Sequence, residues 1–186
     1  MKKGERIEGK QVYLRPITRE DTDNIIGWRN SDEVRPYFLY QKPFTREGHL
    51  KWLEEMIDSH KGYQFIICLK ENDRPVGSTY LRDYDSRHRK AEYGVFIGAK
   101  KDKGRGIGLE SLELTLNFAF ETLKLHKVFA RALSDNLPSI NSFLKGGFVQ
   151  EAYLKDEVQI EGRYRDIVLL AKLNPKEGHL AEKGRK

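Results

Sequence analysis

The chain is poor in the residues that carry several common chemistries. One cysteine, Cys68, occurs in 186 residues, so no disulfide can form within the chain, and its place in the apolar run Phe65-Ile66-Ile67-Cys68-Leu69 marks a small buried hydrophobe. No zinc-ligand set is found, and no metal is expected. No window approaches the ~18 continuous apolar residues of a membrane helix, and the start Met1-Lys2-Lys3-Gly4-Glu5-Arg6 has no apolar stretch behind it. A soluble, cytoplasmic protein with no membrane partner is expected.

Two phosphate motifs are also missing. The dinucleotide fingerprint G-x-G-x-x-G fails because Leu109 stands where the third glycine should follow Gly104 and Gly106. The P-loop, G-x-x-x-x-G-K followed by Ser or Thr, does not occur, which removes the usual machinery for ATP or GTP hydrolysis. A net charge of +6 suits an anionic partner, but the basic residues are not gathered into one patch and no RNA-binding aromatic motif accompanies them, so no nucleic acid is expected.

What the chain does have is a strand-like run Tyr93-Gly94-Val95-Phe96-Ile97-Gly98, the turn Lys103-Gly104-Arg105-Gly106-Ile107-Gly108, and an amphipathic segment from Leu109 to Lys124. Leu109, Leu112, Leu116, Ala119, Phe120 and Leu123 form one apolar stripe at helical spacing. The glycines leave bare backbone N–H groups at the positive end of that helix, a site for pyrophosphate.

The rest reads as one mixed α/β domain over residues 1–173, without repeats or linkers, followed by a basic tail, 174–186, expected to be disordered. Gln11 to Arg15 is a strand; Pro16 ends it, and Thr18 with Asp21 begins a helix reaching Trp28. Thr45 caps a second helix to Ser59. Tyr63 to Leu69 and Val76 to Asp83 form a hairpin around Glu71-Asn72-Asp73-Arg74-Pro75, and Lys90 to Ile97 adds a strand. The strand His126 to Leu133 completes a βαβ unit and should run parallel to it. A helix from Pro138 to Lys145 and strands near 150–158 and 164–172 finish the fold.

The turn at Lys103 to Gly108, and downstream Asn136-Leu137-Pro138-Ser139-Ile140-Asn141-Ser142-Phe143 with Gly147-Phe148, resemble the GNAT superfamily of acetyl-CoA-dependent N-acetyltransferases, whose motifs are R/Q-x-x-G-x-G/A and a later N-x-x-(A/S) with G-F. The resemblance covers roughly residues 10 to 173. It implies a mostly antiparallel mixed sheet of about seven strands with a splayed parallel pair, flanked by about four helices. It also implies acetyl-CoA as co-substrate, held by Phe96 and Ile97, by Lys103, Gly104, Arg105, Gly106, Ile107 and Gly108, and by Asn136, with Ser139, Asn141 and Lys145 as further contacts. Asn136 also has the plainer reading of a helix start.

For catalysis the resemblance points to Glu92 as general base; an ordinary strand glutamate is the alternative. Phe143 stands where many relatives carry a tyrosine, so the acid for the leaving thiolate must come from elsewhere, with Ser142, Tyr80, Tyr93 and Tyr153 as candidates. The acceptor is a small-molecule amine. Trp28, Arg29, Asn30, Tyr37, His49 and Trp52 resemble the branch that acetylates amino sugars on nucleotide carriers, and Arg29 and Arg35 can meet a diphosphate; packing over the core is the alternative. A ribosomal-protein or spermidine acetyltransferase and a non-catalytic CoA-binding domain remain open, as does a homodimer through the Tyr153 to Asp166 hairpin.

Overall fold

The computed structural model describes residues 5–177. Eight strands form one sheet in the order β1-β2-β3-β4-β5-β6-β8-β7, with β1 Ile7–Glu8, β2 Val12–Pro16, β3 Tyr63–Leu69, β4 Pro75–Asp85, β5 Lys90–Ile97, β6 Lys127–Leu133, β7 Val149–Ile160 and β8 Arg163–Leu173. Every neighbouring pair is antiparallel except β5 and β6. The expected seven strands become eight through β1, a two-residue strand too short to show alternation.

Four α-helices accompany the sheet: α1 Thr22–Asn30, α2 Arg46–Trp52, α3 Ile107–Asn117 and α4 Leu137–Lys145. The box expected at Thr18 forms: its N–H donates to Asp21 Oδ2 at 2.9 Å, while Arg15 forks onto both Asp21 oxygens at 2.8 and 2.6 Å. Thr45 caps α2 by accepting from the Gly48 N–H at 3.1 Å. Both α2 and α3 pass into wider turns, Leu53–Asp58 and Phe118–Thr122, which carries each expected helix close to its expected end.

Strand alternation divides the core between the two faces. Ala91, Tyr93 and Val95 of β5 join Leu112, Leu116, Phe143 and Phe148 beneath α3 and α4. Phe96 joins Ile25, Leu53, Trp28 and Trp52 beneath α1 and α2. Glu92 and Gly94 share the parity of Phe96, so they too look toward the α1/α2 side.

The first residues of the stretch expected to be a disordered tail, 174–177, are held against the domain. Asn174 is buried, its N–H donates to the His126 carbonyl at 2.8 Å and its Nδ2 to the Leu125 carbonyl at 3.2 Å. Glu177 pairs with Arg89 and accepts from His126 Nδ1 at 2.9 Å. Residues 174–177 close the end of β8 against the loop before β6; the remaining stretch, 178–186, lies outside the described residues.

Candidate active site

The parallel pair that should be splayed is splayed. β5 and β6 pair only at Lys90↔Lys127, Ala91↔Val128 and Glu92↔Phe129, although both strands run on. β5 keeps β4 on its other side as far as Gly77↔Ile97, so from Tyr93 to Ile97 every second set of backbone N–H and C=O groups has no strand partner. Such groups need partners, and they open into a cleft of about 1470 Å³ that runs from the glycine turn past β5 to α1 and α2.

At one end lies the turn before α3. Gly104 and Gly106 have φ of +76° and +79°, a backbone that suits glycine. A Cβ added at Gly104 or Gly108 would meet nothing within 4 Å, so there is room beside the first-turn N–H groups, which have no acceptor within the helix. This geometry fits a pyrophosphate. The turn is anchored by Asp102, buried and forked by Arg74 at 2.9 and 2.8 Å. Lys103, Gly104, Gly106, Ile107 and Gly108 line the cleft, as do Phe96 and Ile97. Lys103 Nζ reaches across to the Glu33 carbonyl at 2.7 Å and lies 5.7 Å from the centre of the Tyr37 ring. Arg105 is the exception: its side chain turns away to Asp102 at 3.4 Å and Glu71 at 3.8 Å, so only its backbone remains in the turn.

Across the gap, Asn136, Ser139, Asn141, Ser142 and Lys145 line the facing wall. Asn136 does cap α4, its Oδ1 accepting from the Ser139 N–H at 3.3 Å, yet its side chain also fronts the cleft, so the two readings of this residue coexist. Phe143 is a core residue, edge-on to Tyr93 with ring centres 6.0 Å apart.

Glu92 is placed at the foot of the splay, but its surroundings do not suit a base. It is 2 % exposed and is forked by Arg82 (2.9 and 2.8 Å) and by Arg131 (3.2 and 2.8 Å). Burial alone would raise its pKa; the hydrogen bonds from the two guanidinia outweigh it and hold the carboxyl below its usual range. A carboxylate so held resists taking a proton. The charge of Glu92 was visible in the sequence, whereas its partners on β4 and β6 come together only through register.

Of the proton donors, Tyr80 faces the cleft on the same side as Glu92, its ring against Gly94, where a Cβ would overlap it. Burial raises the pKa of its hydroxyl, so it stays protonated near neutrality. Tyr93 points to the opposite face, and its hydroxyl is buried there. Tyr153 lies on β7, its hydroxyl given to Asp166 at 2.6 Å.

The residues expected to meet the acceptor divide. Arg29, Tyr37, His49 and Trp52 line the cleft. Trp28 instead packs edge-on to Phe96, 6.2 Å between centres, over Gly98. Asn30 ties down the next loop, its Nδ2 donating to the Phe44 carbonyl at 2.9 Å and its Oδ1 accepting from the Phe44 N–H at 2.7 Å. Arg35 faces Asp32 at 3.7 Å and does not join Arg29. His49 is sealed in, Nδ1 on Thr22 Oγ1 at 3.2 Å and its ring stacked on Trp52; burial lowers its pKa.

A splayed parallel pair with a glycine turn at its mouth is the arrangement that the resemblance to the GNAT superfamily implies for holding acetyl-CoA. The comparisons make this specific. The family profile for an acetyltransferase (GNAT) domain matches residues 11–149. The probable N-acetyltransferase YjcK of Bacillus subtilis is 31% identical over 91% of this chain and 97% of its own length. A spermidine N(1)-acetyltransferase of Vibrio cholerae is 26% identical over 84% of this chain and 90% of its own. A crystal structure of the Vibrio cholerae spermidine N-acetyltransferase with CoA and spermine superposes with a TM-score of 0.83 at 24% identity, over 90% of this chain and 98% of that one. The chain belongs to the GNAT acetyltransferases; it is an acetyltransferase that draws on acetyl-CoA. Among the described residues no group of three or more His, Cys, Asp or Glu side chains could hold a metal, and no helix is long and apolar enough to cross a membrane.

Proposed function

We propose that this chain transfers the acetyl group of acetyl-CoA to a primary amine of a small molecule that enters from the α1/α2 side, by direct attack with both substrates bound. The observation that supports this most is the end of β5–β6 pairing at Glu92 and Phe129, which leaves backbone donors and acceptors along Tyr93 to Ile97 facing an open cleft. Acetyl-CoA supplies an activated thioester: the amine nitrogen forms the bond to the carbonyl carbon, the carbon–sulfur bond breaks, and the proton lost by nitrogen ends on sulfur. Tyr80 is the cleft hydroxyl best placed to hand on that proton, with Ser142 on the opposite wall as the other donor. Glu92 orients Arg82 and Arg131 and is not the base; an α-amine, with pKa near ~8, is about one-tenth neutral at pH 7 without help.

The acceptor reading is an amino sugar, free or nucleotide-linked, with Arg29, Tyr37, His49 and Trp52 around it. The spermidine relatives favour a second reading, a polyamine. Release of CoA thiol measured with an amino sugar, its nucleotide derivative, spermidine and a peptide amino terminus separates them: turnover on spermidine alone overturns the amino-sugar reading. Tyr80→Phe should lower kcat about tenfold or more, with the KM for acetyl-CoA little changed; an unchanged kcat removes Tyr80 from the mechanism. A homodimer is supported by exposed Tyr153, Tyr164 and Val149 on the outer strands, and sedimentation gives the mass that decides it.

A further inference from the structure

Arg29 is buried without a counter-charge. It is 8 % exposed, lines the cleft, and pairs with no carboxylate among the described residues. Its one hydrogen bond runs from Nη2 to the Tyr40 carbonyl at 3.3 Å, and its Nε, fully buried, has no acceptor. The guanidinium packs over Phe38, 3.2 Å from the ring centre, and Phe44, 4.5 Å away. Aromatic faces offset only part of the cost of removing a guanidinium from water. Burial draws its pKa down to about 10, so it stays charged at neutral pH.

Its neighbours deepen the imbalance. The Arg82 guanidinium stands 5.7 Å from the centre of the Tyr80 ring, and both residues line the same cleft as Arg29. Arg82 and Arg131 each spend Nε and Nη2 on the same carboxylate, Glu92, leaving the Nη1 of both with no hydrogen bond among the described residues. The other acid on this part of the wall, Asp83, is exposed. Arg82 and Arg131 thus share one buried carboxylate, Glu92, while Arg29 has none.

We propose that Arg29, with Arg82 lining the same cleft, receives an anionic group, a carboxylate or a phosphate, carried by the amine acceptor itself. The proposal rests on the acetyl-transfer reading and narrows its acceptor to an amine that also bears a negative charge. A polyamine would bring like charge to this wall and leave Arg29 unpaired.

The test is calorimetric binding in the presence of saturating CoA, which fills the glycine turn, using matched probes: glucosamine against glucosamine 6-phosphate, and glycinamide against glycine, with spermidine as the cation. The wild-type protein should bind the anionic member of one pair about ten- to a hundredfold more tightly; which pair responds tells phosphate from carboxylate. Arg29→Met, which keeps the stem over Phe38 and Phe44, should abolish that preference while binding CoA as before and melting no lower, because it removes an uncompensated charge. Arg29→Lys should keep part of it. No preference in the wild type, a preference that survives Arg29→Met, or spermidine bound as tightly as the anion overturns the proposal. Preference without thiol release from any amine would overturn the transfer reading and leave the anion site standing; release that ignores Arg29 would do the reverse.

Discussion

Glu92 shows how far a single residue's role depends on its neighbours. Its folded pKa lies below the unfolded value, so its contribution to stability is complete above the unfolded pKa, near ~4.3, and is lost as pH falls from there through the folded value. Glu92→Gln leaves Arg82 and Arg131 facing each other across a neutral amide. Because both guanidinia are about one-third exposed, the cost should be about 2 kcal/mol, below that of a fully buried pair. Urea denaturation at pH 7 and at a series of lower pH values should find the variant weaker at the first, with the deficit shrinking as pH falls below ~4.3; an equal deficit throughout would mean that charge is not the cause. Glu92 is locked between its arginines and His49 is sealed against Thr22 and Trp52, which favours an amine that arrives already neutral. The rise of kcat/KM with pH should therefore follow the pKa of the acceptor amine, and a profile unchanged between two amines of different pKa would reveal a base on the enzyme. The sequence showed the charge of Glu92 but not what holds it: Arg82 and Arg131 lie ten residues before and thirty-nine after it, and only strand register joins them.

At the level of elements, β5 does two jobs that its sequence states in different ways. Its apolar positions announce the core, whereas the splay from β6 has no local signal beyond the glycine turn that follows. Gly94 is where the two meet, since a methyl there would collide with the Tyr80 ring. Gly94→Ala should push Tyr80 aside and lower kcat by an amount close to that of Tyr80→Phe, and the double variant should be no slower than either single one if both act through the same hydroxyl. Additive losses would place the effect in the strand itself. The helices were more legible than the site they serve, because Thr18, Thr45 and the α3 stripe are local signals. Arg105 and Asn30 carried the right chemistry in sequence but were claimed by Asp102 and by Phe44, partners that a one-dimensional reading does not bring near.

Across the whole molecule, the order of elements was legible because most connections are short and turn residues separate the strand-like runs. The chain's last described turn was not. Asn174-Pro175-Lys176-Glu177 has the composition of a frayed end, but Asn174 is buried against the Leu125 and His126 carbonyls at the base of β6, the strand whose departure from β5 opens the cleft. Removing that side chain leaves the Leu125 carbonyl without its partner, so Asn174→Ala should cost about 2 kcal/mol and lower Tm by about 5 °C. The β5–β6 junction itself stays held by Glu92 and its two arginines. Acetyl-CoA KM measured well below the new Tm should therefore be unchanged; a raised KM at that temperature would mean that the C-terminal latch also sets the width of the splay.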